Sequence, residues 1–182
     1  METPTPDLVC PFCEILAGNQ PSAFVSRLES VSSFVNPRQY RPGATLVIPN
    51  RHVVTVFDMT PEEWAAVFVH AKQVAAAACA AIGASGVNIF QNNGRSAGQS
   101  VFHVHVHVVP RSDGDKGPAI FGEGYVEKTP MDERRAIAQR IRAHLPRDLT
   151  PSAGRTQDSR RARARSSSSD PAVPVVETRR GS

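Results

Sequence analysis

Short apolar runs separated by polar breaks dominate the first 146 residues, and the period of each run predicts its element. FCEILAGN (12–19) reads as a short helix stopped by Gly18, and FVSRL (24–28) and VSSFVN (31–36) as two strands around a charged break. GATLVIPN (43–50), after the turn signal R-P-G, has the apolar density of a buried strand. Thr60-Pro61-Glu62-Glu63 starts a helix, with Thr60 as cap, Pro61 at the first position and Glu63 closing a capping box. That helix is expected to run to about Ile82, burying a stripe of Trp64, Val67, Phe68, Ala71, Val74 and Ala78. VNIFQ (87–91) and VFHVHVHVV (101–109) read as strands joined by the glycine- and amide-rich loop NNGRSAGQS (92–100). Thr129-Pro130-Met131-Asp132 opens a last helix, about 129–145, with Ile137, Ile141 and Leu145 on one face and Pro146 behind it. Mixed strands and helices without a repeating βαβ order predict an α+β domain with a mostly antiparallel sheet.

Composition changes this picture only at the C-terminus. Residues 1–146 carry 13 Lys+Arg and 13 Asp+Glu, so the net charge of +4 comes entirely from 147–182. That segment, rich in Arg, Ser and Pro and without an aromatic residue, is expected to be a disordered tail with an unknown partner. The neutral folded part argues against a nucleic-acid-binding fold. No continuous apolar run approaches the roughly 20 residues of a membrane span, and the start METPTPDLVC lacks signal-peptide features, so a cytoplasmic protein without membrane contact is expected. Three cysteines make no disulfide framework. Cys79, in the alanine-rich helix, is read as a small buried thiol, and His70 and His144 receive no role.

The chemistry concentrates in SVFHVHVHVVP (100–110). On a strand, His103, His105 and His107 share one face, while Phe102, Val104, Val106 and Val108 pack inward. A row of imidazoles on a strand suits a zinc site or a nucleophilic histidine. The preceding loop offers Asn92, Asn93, Gln99 and Ser100 with flexible glycines and no carboxylate. Such donors suit a phosphate, which favours phosphate chemistry at histidine.

The run HVHVHVV (103–109), preceded by AGQS and followed by PR, resembles the signature of the histidine triad (HIT) family. The resemblance covers residues 8–113 through FVN (34–36), PGATLVIPNRHV (42–53) and the TPEE helix start, and it places a HIT domain at 1–146. It implies a five-stranded antiparallel sheet with two main helices, a homodimer, and cleavage of nucleotides at the α-phosphate. His105 would be the nucleophile, forming a nucleotidyl-histidine intermediate within the catalytic set His103, His105 and His107. His107, Gln99, Ser100 and Asn92 would hold phosphate oxygens or the leaving group, and Asn36 the ribose hydroxyls. Phe12, Leu28 and Phe34 offer walls for a base, which the resemblance implies is a purine, in an adenosine-containing substrate.

Two substrate branches of the family are represented, dinucleoside polyphosphates by FVN and HVHVHVVPR, and nucleoside phosphoramidates by IPNRHV with His52. Cys10 and Cys13 are by themselves half a zinc site; bacterial members of the family complete it with residues at the positions of His52 and His103. A structural zinc is therefore implied, with no organic cofactor and no catalytic metal. A nucleotidyltransferase, or a nucleotide-binding scaffold with incidental hydrolysis, is the alternative.

Overall fold

Strands Phe24–Arg27 (β1), Val31–Val35 (β2), Thr45–Pro49 (β3), Gly86–Gln91 (β4) and Val106–Arg111 (β5) form one sheet of order β1-β2-β3-β5-β4, each neighbouring pair antiparallel. Helices Pro11–Ala17 (α1), Pro61–Ile82 (α2) and Met131–Arg142 (α3) complete the α+β architecture expected from the chain. The computed structural model describes residues 9–115 and 128–149, all of them within the unit Met1–Pro151.

Strand alternation divides the apolar residues between two layers. Val31, Val35, Val47, Val106 and Val108 meet Val67, Ala71 and Val74 of α2 and Ile137 and Ile141 of α3. Phe34, Leu46 and Ile48 point the other way, onto Phe12 and Ile15 of α1. Because β3 is covered on both faces, all five of its residues are buried, which is why its sequence reads as a continuous apolar run. The register aligns Phe24, Phe34, Leu46, His107 and Phe90, one residue from each strand. This row runs across the sheet on the α1 side.

Helix α2 starts as its capping box predicts, with Glu63 N–H donating to Thr60 Oγ1 at 3.2 Å and Thr60 N–H to Glu63 Oε2 at 3.0 Å. Gly83 closes it at φ 74°. The expected stripe is corrected at its first residue: Trp64 is 39% exposed, its ring tilted 33° against Phe68 at 4.4 Å. By length and composition α2 alone, among the described residues, could cross a membrane, yet Val67, Ala71, Val74, Ala75, Ala77 and Ala78 pack into the core.

Three further expectations change. The last helix starts at Met131, after residue 129, with Pro130 at the cap position and Thr129 N–H donating to Pro37 O at 2.8 Å. The helix ends at Arg142, short of residue 145, although Leu145 remains buried. The chain then forms a 3-10 turn, Arg147–Leu149, with Leu149 buried, where the composition predicts a tail. From residue 150 on, the expected disordered tail lies outside the described residues, as do residues 116–127.

Candidate functional site

The strand expected from residue 101 begins only at Val106. Just before it, His103 N–H closes a tight turn onto Val101 O at 2.9 Å, and Val104 N–H donates to Val53 O at 2.7 Å. The ladder with β3 starts at Val47↔Val106, so residues 101–105 leave the sheet and the three histidines do not form one evenly spaced row. Phe102 consequently lies outside the core, half-buried beneath the Arg95 guanidinium at 5.0 Å. Val104, Val106 and Val108 are fully buried, as alternation requires.

Each imidazole has a distinct environment. Nε2–H of His103 donates to Pro49 O at 2.9 Å, which leaves its Nδ1 lone pair facing the thiols of Cys10 and Cys13 at 3.5 and 3.7 Å. Both ring nitrogens of His103 are thus engaged, and its carbonyl, not its ring, meets the next histidine. Nδ1–H of His105 donates to that carbonyl at 2.7 Å. A carbonyl can only accept, so the proton sits on Nδ1 and the lone pair on Nε2. The Phe12 ring stands edge-on to His105 at 5.2 Å. His107 lies between His105, at 4.9 Å and tilted by 60°, and Phe90, at 4.5 Å and only 3° from parallel.

Burial keeps all three neutral at pH 7, because an imidazolium loses its hydration there. His103 is pushed down to about 4, chiefly by burial with His52 and His105 adding to it, against its bond to Pro49. Burial, and then His105, push His107 down to about 3. His105 is also lowered by burial, against its bond to the His103 carbonyl.

The loop and pocket residues are placed less uniformly. Gln99 is buried, and both of its amide hydrogens are engaged, by Val54 O at 2.7 Å and Val101 O at 3.1 Å, while its oxygen accepts from Gly94 N–H at 2.7 Å. These bonds let the Gln99 side chain staple the loop that precedes the histidines. Asn93 does similar work, accepting from Val56 N–H at 2.9 Å. Asn92 remains half-buried and Ser100 exposed at the loop's end. Asn36, two residues beyond Phe34, accepts from Arg38 N–H at 3.0 Å. Phe12 and Phe34 are buried against each other at 5.6 Å and Leu28 is half-buried.

Cys10, Cys13, His52 and His103 offer ligand atoms that all lie within 4.8 Å of one another, a group able to hold a metal ion. His52 Nδ1 is 3.3 Å from Cys13 Sγ. A tetrahedral zinc with ordinary bond lengths has sulfur–nitrogen edges of about 3.6 Å, close to the three spacings here of 3.3, 3.5 and 3.7 Å. Burial first, then Cys10 and Glu14, push the Cys13 thiol up to about 11, crowding of incipient negative charge that a shared cation relieves. Cys10 caps α1 and Cys13 lies in its first turn, so the helix start itself brings both sulfurs to His103.

Two features escaped the sequence reading. His70 is buried, its Nε2 at 2.7 Å from Ser26 Oγ, which lies 2.7 Å from Ser33 Oγ. A histidine inside the apolar stripe of α2, between Val67 and Val74, was the available signal. The stack of Phe90 on His107 depends on cross-strand register, which no local pattern displays.

Comparison with known proteins agrees with this geometry. The family model for the HIT domain matches residues 17–114. Protein hit of Bacillus subtilis is 42% identical over 126 residues, covering 68% of this chain and 82% of its own. Adenosine 5'-monophosphoramidase hnt1 of Schizosaccharomyces pombe is 29% identical over 75% of this chain and 98% of its own. A zinc-bound histidine triad family protein from Mycobacterium smegmatis superposes with a TM-score of 0.65 at 34% identity, over 75% of this chain and 92% of that one. Since the matched span contains all three histidines and the loop before them, and exceeds half the chain, the protein belongs to the HIT domain family.

Proposed function

We propose that the protein is a nucleotidyl hydrolase that cleaves a dinucleoside polyphosphate or a nucleoside phosphoramidate at its α-phosphate. One observation carries this reading: His105 Nδ1–H is tied to the His103 carbonyl at 2.7 Å, so a neutral imidazole presents its Nε2 lone pair. That nitrogen attacks the α-phosphorus as the bond to the leaving group breaks, giving a nucleotidyl-histidine. Water then displaces the nucleotide and frees His105. As charge develops on His105, the carbonyl of His103 stabilises the imidazolium without reorganisation. His107, Gln99, Ser100 and Asn92 hold phosphate oxygens or the leaving group, and Asn36 holds the ribose. The likeness to a protein named adenosine 5'-monophosphoramidase supports an adenosine-containing substrate.

Cys10, Cys13, His52 and His103 hold a structural zinc in this reading. A metal held by these four residues would fix the His103 ring, and hence the carbonyl that orients His105. The homodimer implied by the family resemblance would use the open edge at β4, where Val87 and Ile89 are 38% and 40% exposed.

The test compares wild type with His105→Ala on diadenosine tetraphosphate and adenosine phosphoramidate. Wild type is expected to turn over at least one of them, and the variant to lose ~10⁴-fold or more in kcat. A wild type that binds adenosine monophosphate but hydrolyses neither compound would refute the proposal.

A further inference from the structure

We infer that Phe90 is a positioning residue for His107, acting through its ring face; this rests on the reading that His107 serves the phosphate group of a nucleotide. Phe90 belongs to the edge strand β4, on the face it shares with His107, and the two are register partners. Their rings are 3° from parallel with centroids 4.5 Å apart, while His105 flanks His107 at 4.9 Å. Imidazole rotation about its last side-chain bond is soft. A phenyl face laid flat against the ring removes that softness, since turning the imidazole drives its edge into the phenyl carbons. The plane in which both His107 nitrogens lie is thereby set before a phosphate arrives, the kind of preorganisation that favours the transition state.

Simple core filling does not account for a ring here. Phe90 is only half-buried within its own chain, so leucine would cover the same apolar ground.

Phe90→Leu and Phe90→Tyr separate the two roles. In Phe90→Leu, kcat should fall about five-fold, the equivalent of ~1 kcal/mol, roughly what an aromatic pair contributes, with KM unchanged within two-fold. Phe90→Tyr, which keeps the face, should restore kcat to within two-fold of wild type. In proton spectra the His107 ring signals, shielded by the phenyl face, should move downfield in Phe90→Leu and stay in place in Phe90→Tyr. A leucine variant with unchanged kcat, a change confined to KM, or equal impairment in both variants would overturn the assignment. If wild type hydrolysed neither test substrate, the proposed function would fall while the spectra still decided this one: His107 signals unmoved by Phe90→Leu overturn it.

Discussion

Acidification below pH 7 should unfold this protein through its histidines before its carboxylates take part. His70, His103, His105 and His107 are between 0% and 9% exposed, and all four are shifted downward, with burial the largest cause. Each therefore binds protons more weakly when folded than in the unfolded chain, where an imidazole titrates near 6.5. The folded state is thus fully favoured above about pH 6.5 and loses stability as pH falls from there towards the folded values. For His103, with a folded value of about 4, and His107, at about 3, the loss between pH 7 and 5 is ~2 kcal/mol each. Together they remove ~4 kcal/mol, a large part of the 5–15 kcal/mol typical of a domain, and His70 and His105 act in the same direction. Glu63, held down to about 2 by its hydrogen bond from Arg51, and ordinary carboxylates lose stabilisation only below about 4.5, outside this window. Urea unfolding followed by far-ultraviolet circular dichroism at pH 7, 6 and 5, in chelator so that His103 carries its own proton, measures the slope. His107→Gln should reduce the fall by ~2 kcal/mol. A free energy of unfolding that is flat or rising from pH 7 to 5 would refute the reasoning.

Two further outcomes follow from local geometry. Gly43→Ala should destabilise by ~2–4 kcal/mol, since Gly43 has φ +81° and a Cβ there would lie 2.7 Å from Ile82 Cγ1 and 3.3 Å from Pro110 Cγ. Gly18→Ala, at φ +87° with open space around it, should cost only the backbone share of ~1–2 kcal/mol; equal urea midpoints for the two variants would contradict this. Cys13→Ala should lower zinc from about one ion per chain to near zero in plasma emission analysis, whereas Cys79→Ala, a half-buried thiol directed at Gly86 O at 3.5 Å, should leave it unchanged. Retained zinc in Cys13→Ala would remove the site from the account.

Much of this was legible in the chain because the signals are local. Capping residues, alternation and glycine stops place α1, the two ends of α2 and the first four strands to within a few residues. The family resemblance also implies the four members of the Cys/His group, which the fold brings together from α1, the loop after β3 and the segment before β5. What escaped was decided by partners distant in sequence. Residues 101–105 have a strand's alternation but leave the ladder because Val104 pairs with Val53. The hydrogen bond from the Gln99 side chain to Val54 O, 45 residues away, shows in no local pattern. His70 resembles a stray polar residue until Ser26 meets its ring across the core.

The central claim is that the Nε2 lone pair of His105 takes the nucleotidyl group. Rapid mixing with diadenosine tetraphosphate or adenosine phosphoramidate, an alkaline quench to preserve a phosphoramidate bond, and peptide mass spectrometry test it directly. The account predicts an adenylyl group on His105, formed and lost at rates compatible with turnover and missing from His105→Ala. Turnover at the wild-type rate in His105→Ala, or an adenylyl group formed on another residue, would contradict it.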